Sequence, residues 1–226
     1  MSKILFISTV TLMFLACSMT SEKSEVISSE SSTPGGGIIL KKFDPLIITG
    51  DFDGDKKIDT ITQHIGSKYK KIVFDSIVDP NKNHWDIVEN WHFNRGTDLR
   101  VTINKPQIKD INLGTSQGLY CLINIGDNNS DKKDEIALVV DHLDASNLNT
   151  CKILSICNGE WKILKEFGVN EDSFNYTDKK PKVLSEIKNY LEYKDNNWLY
   201  KDYQLTEFIN ADTIVKMEKL KLDKCN

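Results

Sequence analysis

Two short acidic segments of this chain share one spacing, and apolar runs bracket each of them. Gly50-Asp51-Phe52-Asp53-Gly54-Asp55-Lys56-Lys57-Ile58-Asp59 and Gly126-Asp127-Asn128-Asn129-Ser130-Asp131-Lys132-Lys133-Asp134-Glu135 place oxygen-bearing side chains at loop positions 1, 3, 5 and 9. Carboxylates crowded this closely repel one another unless water or a bound cation compensates them. A tight turn that offers oxygens at alternate residues is also how a short backbone segment wraps a hard divalent cation. The spacing therefore predicts a pair of calcium sites. The first would use Asp51, Asp53, Asp55 and Asp59 with the Lys57 carbonyl at position 7. The second would use Asp127, Asn129, Asp131 and Glu135 with the Lys133 carbonyl, and Asp134 is close enough to substitute. Side-chain charge is higher in the first loop, which is expected to bind more tightly.

The duplication reaches beyond the ligands. An offset of 76 residues (127 minus 51) pairs Leu46 with Leu122, Ile47 with Ile123, Gly50 with Gly126 and Lys56-Lys57 with Lys132-Lys133. Each loop follows an apolar run, 45–49 or 121–125, and precedes another, 60–65 or 136–141. The repeating unit is strand, acidic loop, strand. A single acidic turn would be equally well explained by solvation; the repeat is what favours metal.

The Gly-Asp-Phe-Asp-Gly-Asp stretch that ends at Asp59, together with its partner, resembles the calcium loops of FG-GAP repeats and related bacterial surface repeats. In those proteins the loop joins neighbouring strands of a propeller blade. More loosely, residues 38–226 resemble small bacterial lipoproteins of unknown role that carry such loops and a Trp-bearing hairpin, here Cys157-Asn158-Gly159-Glu160-Trp161. The resemblance implies ligand roles for Asp51, Asp53, Asp55 and Asp59, and for Asp127, Asn129, Asp131 and Glu135. The family usually has Gly at loop position 6, where this chain has Lys56 and Lys132; position 4 is Gly54 in one loop and Ser130 in the other.

The amino terminus bears on location. Lys3 precedes an apolar stretch, Ile4 to Ala16, that is too short to span a bilayer as a helix but suits a secretory signal. It ends in Phe14-Leu15-Ala16-Cys17, which resembles a lipobox, and this implies acylation of Cys17 after cleavage. Residues 17–37 are rich in Ser and Gly and poor in apolar side chains, the composition of a flexible tether. The expected organisation is a signal peptide at 1–16, a lipidated tether at 17–37 and a folded domain at 38–226. That domain would be held at a cell membrane or outer membrane, facing the periplasm or the exterior. A formal net charge of -4, with Arg95 and Arg100 the only arginines, excludes a basic field for nucleic acid.

Strand signals dominate the rest. Residues 69–76, 99–104, 119–125, 135–143 and 150–157 are rich in β-branched and aromatic residues. Asn158-Gly159 predicts a two-residue hairpin into Trp161-Leu164. Val183, Ile187, Tyr190 and Leu191 suit a helical face, and 211–222 suits a final strand. The predicted fold is mainly β: an open twisted sheet, a sandwich or a partial propeller-like stack, with acidic inter-strand loops and at most a short helix near the C-terminus. Beyond Cys17 lie Cys121, Cys151, Cys157 and Cys225, an even number in a chain expected to be exported. A Cys121–Cys151 bridge between neighbouring strands is the favoured pairing, with buried thiols as the alternative.

No catalytic motif stands up. Gly114-Thr115-Ser116-Gln117-Gly118 matches G-x-S-x-G but leads into a strand-like run rather than a helix, so it reads as a turn. His64, His84, His92 and His142 lack zinc-ligand spacing. Trp85 and Trp91, in the segment 83–94, suit core packing better than display to a glycan or peptide. Taken together, these features predict a membrane-anchored, calcium-stabilised lipoprotein acting as a non-catalytic binding or structural module of the cell envelope, with an envelope protein or a glycan as possible ligand. The alternative is an exported hydrolase of glycan or peptide in which calcium is structural.

Overall fold

Along 59–67 buried and half-buried residues alternate strictly, with Ile61 and Ile65 fully buried, whereas nearly every residue of 135–141 is buried. The first pattern belongs to a strand with one face on a core, and the second to a strand covered on both faces. The computed structural model describes residues 37–174, 184–203 and 216–225, and Ile38–Asn226 form one compact unit. The proposed signal stretch, Cys17 and the tether up to residue 36 lie outside the described residues.

Three antiparallel sheets account for the two patterns. The first is a meander of β2 (Ile47–Gly50), β3 (Asp59–Ser67), β6 (Thr97–Ile103) and β7 (Ile111–Gly114), with β4 (Ile72–Val73) paired to the end of β3. The second runs in chain order through β8 (Gly118–Gly126), β9 (Glu135–Asp141), β10 (Leu148–Cys157) and β11 (Glu160–Asn170). The third contains β12 (Leu191–Lys194), β13 (Asn197–Tyr200) and β14 (Glu218–Lys219). A separate two-stranded ribbon pairs β1 (Leu40–Lys42) with β5 (Ser76–Val78).

The second sheet is the central layer. Ile136, Leu138 and Val140 of β9 join Ile61, Ile65, Leu99 and Val101 of the first sheet in one apolar cluster. Ala137 and Val139 point the other way, into a cluster with Phe167, Leu191, Trp198 and Leu220. Each fully buried aliphatic side chain removes enough apolar surface from water to contribute about 1.5–3 kcal/mol. Two indole N–H groups staple the layers: Trp161 donates to the Lys109 carbonyl at 3.0 Å and Trp198 to the Ile125 carbonyl at 2.7 Å. The mainly β fold is thus a sandwich-like stack of open sheets, and no closed barrel forms among the described residues.

Several local expectations hold and others do not. Asn158 and Gly159 turn between β10 and β11 with φ of 53° and 81°, the left-handed pair a two-residue hairpin needs. The run 69–76 is no single strand: 69–71 turn, with Lys71 at a positive φ of 51°, β4 covers only 72–73, and β5 begins at Ser76 after a break at 74–75. Residues 184–191 form no helix: Asn189 has φ 66°, Ile187 bridges Leu191, and Leu191 opens β12, while Val183 lies outside the described residues. Of the proposed last strand, residues 211–215 also lie outside, and 218–219 form β14. An α-helix, α1 (Trp85–Arg95), sits between β5 and β6 and ends at Gly96 in the left-handed conformation. It buries Val88, Trp91 and His92 while Ile87 and Phe93 face outward.

The favoured cysteine pairing is wrong. Cys121 of β8 and Cys151 of β10 both lie opposite Val139, one on each side of β9. Two inter-strand steps separate them by about 9–10 Å, beyond the reach of a disulfide, and both are buried free thiols. The bridge that forms is Cys157–Cys225, with Cα atoms 5.1 Å apart, and it ties the end of β10 to the C-terminal segment.

Candidate metal centre

Each acidic loop connects the first two strands of a four-stranded meander, β2 to β3 and β8 to β9. Four of their hydrogen bonds correspond position by position. The Lys56 and Lys132 N–H groups donate to Asp51 Oδ2 and Asp127 Oδ2 at 2.9 and 3.0 Å. Asp55 N–H donates to Asp53 and Asp131 N–H to Asn129, at 3.1 and 2.9 Å. Lys57 N–H donates to Asp55 and Lys133 N–H to Asp131, at 2.8 and 3.1 Å. The closing carboxylates also correspond: Phe52 N–H donates to Asp59 and Asn128 N–H to Glu135, at 3.2 and 2.8 Å. Positions 4 and 6 are left-handed in both loops, Gly54 and Lys56 at 81° and 67°, Ser130 and Lys132 at 61° and 73°. The departures from glycine therefore leave the loop shape unchanged and add backbone strain at Lys56, Ser130 and Lys132.

Two acidic clusters result, and either could hold a metal ion. Asp51, Asp53 and Asp59 bring ligand atoms within 4.8 Å of one another, and so do Asp127, Asp131 and Glu135. Asp55 is not one of that trio, but its carboxylate shares the Lys105 ammonium with Asp53 and Asp59. Asn129 stays in the second loop, its amide donating to Asp131 Oδ2 at 3.2 Å and to the Asp223 carbonyl at 3.0 Å. Asp134 serves a different purpose. Its carboxylate accepts from the Asp51 N–H at 3.1 Å and from Asn124 Nδ2 at 3.0 Å, and its own N–H donates to the Asp51 carbonyl at 2.8 Å. It ties one loop to the other. Lys57 Nζ lies 3.6 Å from Asp55, and Lys133 Nζ reaches the Ile156 carbonyl at 2.7 Å, so the side chains of both proposed carbonyl donors point at other partners.

The loops differ in how their charge is met. In the first, Lys105 Nζ sits 2.7 Å from Asp53, 2.8 Å from Asp55 and 3.0 Å from Asp59 Oδ1. Its hydrogen bond, with that of the Lys57 N–H, holds the Asp55 carboxyl below the usual range, and the same carboxylates push the Lys105 ammonium upward. Lys105 was not legible as a site residue from spacing alone, because it follows β6 in the chain. In the second loop Glu135 is fully buried and its Oε1 meets no donor. Burial pushes this carboxyl up to about 7 against the hydrogen bond from Asn128, and the charges of Asp131, Asp127 and Asp134 add to the rise. An orphaned buried carboxylate oxygen carries its full desolvation cost. A divalent cation among Asp127, Asp131 and Glu135 would remove that cost, so the donor set fits one.

The C-terminal segment covers the second loop. Lys224 Nζ donates to the Ser130 carbonyl at 3.0 Å, Cys225 N–H to Asp131 Oδ2 at 3.3 Å and Asn128 Nδ2 to the Leu220 carbonyl at 3.4 Å. Between the loop-bearing strands and the third sheet lies an open cleft of about 870 Å³, lined by Ile47, Thr49, Ile123, Tyr193 and Trp198 among others. The aromatics at 83–94 divide: Trp91 is buried against Phe74 and beneath the Arg95 guanidinium, while Trp85 is exposed. Residues 114–118 form the turn from β7 to β8 and open no helix. Compared with known proteins, the chain matches no family model, no curated protein and no solved structure.

Proposed function

We propose that this protein is a non-catalytic binding or structural module of the cell envelope, tethered through a lipid on Cys17 and stiffened by calcium. The observation that carries the calcium reading is the buried, donorless Oε1 of Glu135 inside a loop whose geometry occurs twice. Carboxylate-rich, short-range oxygen donors suit a hard cation, and the resemblance to FG-GAP loops favours calcium over magnesium. Asp127, Asp131 and Glu135, with Asn129 and the Lys133 carbonyl, would hold the ion. When bound it would neutralise the loop and fix the β8–β9 connection beneath the C-terminal segment. With a dissociation constant of about 0.1 mM and about 1 mM free calcium, binding adds roughly 1.4 kcal/mol to stability. The aromatic and aliphatic cleft beside the loops supplies the shape for a partner such as an envelope protein or a glycan. The anchor is supported by the signal-like stretch and the Phe14-Leu15-Ala16-Cys17 segment.

Thermal unfolding of the whole protein in calcium, magnesium and excess chelator tests the metal. The expected result is a calcium-selective rise in melting temperature that Asp127→Ala removes. No shift in any condition would reduce the loops to solvated turns. Membrane fractionation tests the anchor: Cys17→Ala is expected to release the chain from the membrane pellet, and retention of the variant would discard lipidation.

A further inference from the structure

We propose that the ammonium of Lys105 occupies the cation position of the first loop, so that this protein carries its own cation there and takes up a divalent ion only in the second loop. This inference rests on the calcium reading of the second loop and reverses the expectation that the first binds more tightly.

Strand register supplies the argument. On β3 and β6, Ile61 lies opposite Ile103, and the Asn104 N–H donates to the Thr60 carbonyl at 3.1 Å. Continuing that register sets Lys105 opposite Asp59, the last carboxylate of the first loop. On β9 and β10, Ile136 lies opposite Leu154. One more step sets Ser155 opposite Glu135, the last carboxylate of the second loop. The two sheets thus present the same position to the same ligand, with a lysine in one and a serine in the other.

The consequences of that single difference are visible in both loops. Lys105 is held in place by its neighbour, since Asn104 Oδ1 also accepts from the Thr60 N–H at 2.9 Å. Its ammonium then contacts Asp53, Asp55 and Asp59 within 3.0 Å, and its side chain is only 16% exposed. An ammonium among three carboxylates offsets one unit of their charge with short charge-assisted contacts, and it fills the space a divalent ion would need. Ser155 has no charge to offer. It is fully buried with an unpartnered hydroxyl; Glu135 Oε1 and Asp59 Oδ1 both accept no hydrogen bond, but Asp59 Oδ1 has the Lys105 ammonium 3.0 Å away. One loop has its cation position filled from within the chain, and the other is left open to a cation.

Two measurements on the whole protein test this. The first is calorimetric calcium titration of the natural chain, Asp51→Ala, Asp127→Ala, Lys105→Met and Lys105→Ser. The natural chain and Asp51→Ala are expected to bind one ion, Asp127→Ala none, and both Lys105 variants two. The second is amine acylation mapped by mass spectrometry with and without calcium, using the exposed Lys109 as internal reference. Lys105 is expected to stay protected in both conditions. Uptake of two ions by the natural chain, or exposure of Lys105 when calcium is added, would overturn the proposal, because calcium would then displace the lysine. Equal reactivity of Lys105 and Lys109 without calcium would also overturn it. If Lys105 is protected but no variant binds calcium, the metal reading of both loops falls and the lysine is an ordinary ion-pair partner, which again overturns the proposal.

Discussion

A histidine buried without a carboxylate partner ties stability to its neutral form. His92 is 1% exposed, packs edge-on against Trp91, shares a 3.1 Å hydrogen bond with Thr97 Oγ1 and lies near Arg95. Burial first, and then the Arg95 charge, lowers its pKa to about 4. The folded value lies below the unfolded one of about 6.5, so this stabilisation is complete above about pH 6.5 and is lost as pH falls through about 4. It is worth up to about 3 kcal/mol, and urea midpoints of His92→Gln at pH 7.5, 5.5 and 4 should lose that part of the acid sensitivity. Glycines at matching loop positions fail for different reasons. A Cβ at Gly50 would stand 2.4 Å from both Asn124 Nδ2 and Asp134 Oδ2, whereas one at Gly126 meets nothing within 4 Å but sits at φ 68°. Gly50→Ala is expected to cost about 1–3 kcal/mol through overpacking, and Gly126→Ala about 1–2 through backbone strain alone. Asp134→Ala, by vacating the space above Gly50, should partly rescue the first and leave the second unchanged in a double-mutant comparison of denaturant midpoints.

At the scale of the element, the left-handed residues in the acidic loops are a reserve of stability. Lys56, Ser130 and Lys132 each hold a conformation that costs a side-chain-bearing residue about 1–2 kcal/mol. Glycine removes this strain but loses more freedom on folding, which returns about 0.5–1 kcal/mol. Lys132→Gly and Ser130→Gly are each expected to gain about 0.5–1 kcal/mol in calcium-free denaturant titrations, and a loss of stability would mean that the side chains contribute contacts of their own. These loops were legible because ligand spacing and flanking apolar alternation are local properties. So was the Asn158-Gly159 turn. Lys105 was not, because its position opposite Asp59 depends on the register of two strands separated by a 29-residue insertion (68–96). Helix α1 hid for another reason: Trp85, Ile87 and Phe93 interrupt the stripe formed by Val88, Trp91 and His92, so no clean helical period marks it. The cysteine pairing required knowing that Cys121 and Cys151 flank one strand rather than face each other across a single pair.

For the molecule as a whole, the C-terminal segment links redox state to the second loop. Cys157 and Cys225 close a span of 68 residues that includes β11 and the third sheet. By chain entropy such a loop stabilises by about 4 kcal/mol. Trp198 and Leu220 of this span complete the core on the outer face of the central sheet. The same tail supplies the Asp223 carbonyl, the Lys224 ammonium and the Cys225 N–H that hold Asn129, Ser130 and Asp131 in place. Releasing the tail therefore removes both a global constraint and the local scaffold of the proposed ion site. Cys157→Ser with Cys225→Ser is expected to lower the melting temperature in chelator and, separately, to weaken calcium binding several-fold, because more of the binding energy must go into ordering the loop. Calorimetry on the folded variant distinguishes the two effects. Lower stability with unchanged calcium affinity would show that the loop holds its shape without the tail, through its own hydrogen bonds and its contact with the first loop at Asp134.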